Sequence, residues 1–202
     1  MTPRQSPQSR RSGGFTVIEL ITVIAIILIL AALTIGLFKY VQYKASAEQA
    51  RGYIAAIETA LERYKGEYGN YPEPIEGATV NVNGKQYDIA GAKCLYQALT
   101  GDGSDAIKGV GGSASNGESE DGEQIFWKKI APGTKTNLVA KDGESNYYLV
   151  DPFGVPFQYR TAIFDEDGEM ENEDEMHNST YDIWSYGKDT TGTDEVSWIK
   201  NW

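Results

Sequence analysis

The chain is poor in the residues most active sites need. Its 202 residues include one cysteine, Cys94, and one histidine, His177. A single cysteine excludes an intrachain disulfide, so any loop must be closed by something else. A single histidine leaves a His-based catalytic triad or a multi-His metal centre hard to build. Positive charge is also scarce: Lys+Arg is 18 against 29 Asp+Glu, a net charge of −11. Nucleic-acid binding wants a basic stripe, and this composition argues against it. The glycine-rich run Gly109-Val110-Gly111-Gly112 lacks the Gly-Lys-Ser/Thr ending of a phosphate loop. Paired acids occur only in loops, and no nucleophile–base pair is visible. The chain does not read as an enzyme.

Charge is scarcest between Phe15 and Phe38, where Glu19 is the only charged residue. As a helix rising about 1.5 Å per residue, this run is long enough to cross a hydrocarbon core of about 30 Å. Ahead of it, Met1–Gly14 carries Arg4, Arg10 and Arg11 and no acid. The positive-inside rule then keeps the N-terminal end in the cytoplasm and sends the rest across. A cleaved secretory signal would have a shorter apolar region and a small-residue cleavage site, and Leu33-Thr34-Ile35-Gly36 is a poor match. Glu19 sets the run apart from a plain anchor. A carboxylate inside lipid costs roughly several kcal/mol unless it is paired or lies near the headgroups.

The segment Gly14-Phe15-Thr16-Val17-Ile18-Glu19 resembles the processing motif of type IV pilins and of the pseudopilins of type II secretion. The resemblance joins a basic leader, a Gly-Phe junction and a glutamate five residues into the processed chain. It implies cleavage by a prepilin peptidase between Gly14 and Phe15, N-methylation of Phe15, and assembly through Glu19. In a bundle of such helices the Glu19 carboxylate can meet the Phe15 amine of a neighbouring subunit, pairing two charges costly to bury alone. Many members have glycine where this chain has Leu28 and proline where it has Gly36. Leu28 favours an unbroken helix, and Gly36 weakens one by only about 1 kcal/mol relative to alanine.

Beyond Phe38 the chain turns polar without a breaker. Ile54, Ile57, Leu61, Tyr64 and Tyr68 recur on one helical stripe, predicted to back a sheet. Gly66–Pro72 ends that stem, again like the pseudopilins. Pro74–Ser145 looks inserted relative to short members of the family. Within it, Thr79–Ile89 reads as a hairpin turning at Asn83-Gly84, and Ala92–Leu99 as a short helix directing Cys94, Leu95 and Leu99 inward. Cys94 reads as a small buried hydrophobe. The Gly/Ser/acid-rich stretch 101–124 reads as a mobile loop, followed by a return to the core at Ile125–Ile130.

Tyr147–Arg160, with Asp151-Pro152-Phe153-Gly154 at its turn, reads as strand–turn–strand and resembles a segment of major pseudopilins. Asp165–Asp174 is crowded with acids but places Gly168 fourth, not sixth, so it fails as an EF-hand loop and reads as a solvated tip. Tyr181–Tyr186 alternates as a central strand. The loop after it, Gly187–Trp198, resembles the C-terminal loop of the major pseudopilin of type II secretion, which binds Ca²⁺. The resemblance implies Asp189 and Asp194 as calcium ligands, with loop carbonyls completing the shell. Thr190 stands where the family often has glycine. Trp198 and Trp202 are expected to cover the sheet or the stem.

The expected fold is α+β and pilin-like: a long N-terminal helix, transmembrane then amphipathic, on a small antiparallel β-sheet head. The expected divisions are a leader at 1–14, a filament-core helix at 15–38, a stem at 39–72 and a head at 73–202. The resemblance implies a structural subunit of a secretion pseudopilus in the bacterial inner membrane, its head in the periplasm. Its partners would be further copies of itself in a filament, other pseudopilins, the assembly platform and the prepilin peptidase. The competing reading is a type IV pilin, or a minor pilin serving as an anchored adhesion module through 101–124.

Overall fold

A computed structural model describes residues 14–101, 106–108, 126–130, 135–144, 146–189 and 191–202, with the backbone alone at 34–37. The leader ahead of Gly14 and nearly all of the 101–124 stretch lie outside the described residues. Helix α1 runs Val17–Tyr68 as one element, through Leu28 and Gly36. It ends where Gly69, at φ +88°, donates its N–H to the Lys65 carbonyl at 2.7 Å. That is the left-handed cap glycine adopts without a Cβ penalty. The chain divides into two compact units between Tyr43 and Lys44. This division falls a few residues beyond the expected limit of the apolar run, and α1 stops short of Pro72.

In the first unit the apolar side chains face outward: Phe15, Val17, Ile18, Leu20 and Leu28 are all more than half exposed. This part of α1 is long and apolar enough to cross a membrane.

The second unit holds the core. From α1 it takes Ala47, Ala50, Ile54, Ile57, Ala60, Leu61 and Tyr64, all buried. The stripe therefore contains more alanines than the sequence reading gave it, and the small residues let other elements approach closely. Tyr68, expected on the same stripe, is 40% exposed. Its ring rests against Tyr64 and Phe126 at the end of the helix. Each fully buried Ile or Leu here contributes about 1.5–3 kcal/mol by leaving water.

Hairpin β1 (Thr79–Val82) and β2 (Lys85–Asp88) turns at Asn83-Gly84, both at positive φ, as a two-residue turn requires. Helix α2 (Ala90–Thr100) follows at once, and its first N–H, of Ala90, donates to Asp88 Oδ1 at 2.7 Å. Cys94, Leu95 and Leu99 are fully buried on it, and burial pushes the Cys94 thiol well up, as for an inert core residue. Strands β3 (Val139–Lys141) and β4 (Tyr147–Leu149) pair antiparallel, and Lys93 of α2 bonds Asp142 in their connection at 2.9 Å.

The main sheet is β5 (Gln158–Thr161), β6 (Tyr181–Ser185) and β7 (Ile199–Lys200), antiparallel with β6 in the middle as expected. Tyr159 pairs with Ile183, and Ser185 with Ile199, all four facing the core. The Asp151–Gly154 turn differs from a simple hairpin. Strand β4 pairs with β3 and β5 with β6, so the turn passes the chain from one sheet to the next. Its arms are joined by the Val150–Pro156 bridge, with the Phe157 N–H donating to the Leu149 carbonyl and the Asp151 N–H to the Val155 carbonyl. The acidic tip is a turn as expected, closed by a Phe164–Met170 bridge and by Asp165 Oδ1 accepting the N–H groups of Asp167 and Glu169.

Candidate functional site

Two places carry the candidate residues, one in each unit. In the first, Glu19 occupies the opening turn of α1. Its Oε2 accepts the Thr16 backbone N–H and the Thr16 hydroxyl, each at 2.8 Å. The Glu19 N–H in turn donates to Thr16 Oγ1 at 3.3 Å. This reciprocal pair is a capping box: two N–H groups that a helix start leaves without partners are satisfied by side chains. Thr22 Oγ1 donates to the Ile18 and Glu19 carbonyls one turn on, so it too stays satisfied in an apolar setting. Gly14 and Phe15 precede the helix and are exposed. The capping role of Thr16 was not among the expectations from the sequence. The Thr-x-x-Glu spacing is the signal that reveals it. The acid is thus held at the mouth of the helix by Thr16.

In the second unit, Asp189 is nearly buried, at 9% exposed. Its Oδ1 accepts the N–H groups of Thr191 (2.8 Å) and Gly192 (2.9 Å) and the Thr191 hydroxyl (2.5 Å). Its Oδ2 accepts the Asp194 N–H (2.8 Å) and the Trp198 indole N–H (2.9 Å). Burial would push the Asp189 carboxyl up, but the Thr191 hydroxyl, the Trp198 indole and the loop N–H groups outweigh it and hold the group below the ordinary carboxylate range. Asp194 joins through its backbone. Its N–H goes to Asp189, and its carbonyl accepts the Ser197 N–H and hydroxyl at 3.0 and 2.9 Å. The Asp194 residue itself is exposed.

The expected calcium site can be tested against this donor set. Calcium wants about six to eight oxygens with their lone pairs turned inward. Here five N–H and O–H groups point their positive ends at the one buried carboxylate. Among the described residues no group of three or more Asp, Glu, His or Cys gathers to hold an ion. The arrangement around Asp189 and Asp194 does not fit a calcium cage.

The loop is also tied to the sheet-to-sheet turn. The buried Asp151 carboxylate accepts the Ser185 hydroxyl through Oδ2 and the N–H groups of Phe153 and Val155 through Oδ1, at 2.8 and 2.9 Å. Ser185 Oγ then accepts the Gly187 N–H at 3.0 Å. Trp198 covers the sheet, as expected of it, stacked on Trp184 at 5.9 Å with Tyr186 edge-on. Trp202 stacks on His177 at 4.2 Å. The lone histidine lies between the buried Asp182 carboxylate, 3.4 Å from its Nδ1, and Glu195, 3.6 Å from its Nε2.

The family "Prokaryotic N-terminal methylation motif" matches residues 9–35. The chain is similar to the type II secretion system core protein G of Aeromonas hydrophila, 38% identical over 76 residues, which is 38% of this chain and 53% of that protein. The proteins of the same name from Pseudomonas aeruginosa and Dickeya chrysanthemi are 39% identical over 70 residues and 35% identical over 68. These cover 35% and 34% of this chain, and 49% and 44% of those proteins. The chain therefore spans about half the length of the relatives it matches. No solved structure gives a significant match.

Proposed function

We propose that this chain is a structural subunit of a type II secretion pseudopilus, most like the major one. Its apolar helix packs with those of further copies into a filament, and its head lies outside the bacterial inner membrane. The observation that carries this reading is the join of a Gly14-Phe15 junction to a helix whose opening turn holds Glu19, followed by an apolar surface exposed all round. The methylation-motif match over 9–35 and the shared name of the relatives support it.

The chemistry runs as follows. Prepilin peptidase cuts after Gly14, and Phe15 becomes an N-methylated ammonium. Before assembly, the Glu19 carboxylate is satisfied within its own chain by Thr16. On assembly it exchanges that partner for the Phe15 ammonium of a neighbour, a charge-assisted bond that fixes the axial step between subunits. The apolar helices bury one another as they leave lipid. Other pseudopilins and an inner-membrane assembly platform are the expected partners, and the chain itself performs no catalysis.

The test is N-terminal mass analysis of the chain expressed with a prepilin peptidase, coupled to Glu19→Ala. A methylated Phe15 terminus is expected, together with a variant that stays in the membrane but forms no filament. Unprocessed protein starting at Met1, or normal filaments from Glu19→Ala, overturns the reading.

A further inference from the structure

The C-terminal loop needs a tie, since the chain has one cysteine and the loop's donor set does not fit calcium. The hairpin β1–β2 supplies a candidate. Lys85, the first residue of β2, reaches across to the loop. Its ammonium lies 4.7 Å from the centre of the Tyr87 ring and 5.2 Å from that of Tyr186, over both. A methyl group built on Gly192 would stand 2.7 Å from Lys85 Nζ, so the ammonium rests directly on the turn between Asp189 and Asp194. Tyr87 also packs on Tyr186, ring centres 5.8 Å apart, and Tyr186 meets Trp198 edge-on. The hairpin, the loop and the sheet thus share one aromatic contact, roofed by a cation.

We propose that the C-terminal loop is closed without a metal, by Asp189 as the shared acceptor of five loop donors and by Lys85 of the β1–β2 hairpin as a resident cation. The physical case has two parts. An anion surrounded by N–H and O–H dipoles is already neutralised, and adding Ca²⁺ would require those donors to turn away. A lysine ammonium over two tyrosine faces gains cation–π attraction and supplies positive charge beside the turn, without the entropic cost of capturing a free ion. The inference also assigns work to the hairpin, part of the segment that looks inserted. It concerns the head alone and stands or falls independently of filament formation.

The experiment is thermal unfolding of the full chain in detergent, with chelator, without it, and with added calcium chloride. The expected result is a wild-type Tm that neither chelator nor calcium moves. Lys85→Met keeps the aliphatic stem and removes the charge, and Trp198→Phe keeps the ring and removes one donor. Each is expected to lower Tm by about 2–4 °C. Asp189→Asn should lower it further, because an amide cannot accept at both ends and would set its NH₂ against the Asp194 and Trp198 N–H groups. The Trp198 indole proton should stay slow to exchange in chelator. A wild-type Tm that falls in chelator and returns with calcium, while Lys85→Met and Trp198→Phe match the wild type, overturns the proposal.

Discussion

Asp142 and Asp151 are both carboxylates of the head, and their surroundings drive them in opposite directions. Burial pushes Asp142 up, but Lys93 and the Asn146 and Glu144 N–H groups outweigh it and hold the carboxyl at about 2, from an ordinary 3.8. A group titrating lower in the folded than in the unfolded chain stabilises fully above its unfolded value and loses that effect as pH falls through the folded one. The Lys93–Asp142 tie should therefore hold above about pH 4 and fade toward pH 2. Asp142→Asn should flatten this acid limb of a Tm-against-pH curve. Asp151 is the reverse case: burial raises it despite its bonds from Ser185, Val155 and Phe153. Its ionised form is a burden to the fold at neutral pH. Asp151→Asn keeps an acceptor for the two backbone N–H groups and can donate to Ser185 Oγ, so denaturant unfolding at pH 7 should show no loss. Asp151→Ala orphans those N–H groups and should cost about 1–3 kcal/mol.

At the scale of elements, α2 is held by close approach as much as by apolar area. A Cβ on Gly91 would lie 2.5 Å from the Tyr159 carbonyl oxygen and 2.8 Å from its backbone nitrogen, both immovable parts of β5. Gly91→Ala should destabilise the head by about 1–3 kcal/mol in urea unfolding, even though alanine is the better helix former. The stem's grip on the head rests on Ile54, Ile57 and Leu61. Ile57 is fully buried, and Ile57→Ala should cost about 2–5 kcal/mol, read from the same urea midpoint. These elements differ in how far the sequence announced them. The β1–β2 hairpin was legible because Asn-Gly has a local conformational meaning. Helix α2 was legible because Cys94, Leu95 and Leu99 share a face. The Asp151–Gly154 segment was legible as a turn but not as a switch between sheets, since turn chemistry is local and strand pairing is not.

For the whole molecule, two units place different demands on one helix. The first presents apolar side chains that are exposed along its length. The second buries its stripe within the chain. The lone acid and the long apolar run were readable in order, because each depends on residues a few positions apart and on the solvent they meet. The capping of Thr16 and Glu19 was equally present in the spacing. The C-terminal loop was another matter. Its sequence carries two acids on either side of a short turn, a pattern equally open to an ion or to hydrogen bonds. What decided between them was the folded shape of the loop itself, which turns the Trp198 indole and the N–H groups of Thr191, Gly192 and Asp194 onto one carboxylate. The sequence alone determined where charge and apolar surface would fall, because burial and helix periodicity act locally. Only the tertiary structure decided what neutralises Asp189, because that depends on which donors of the loop the folded turn directs onto one carboxylate, and residue spacing alone does not specify this.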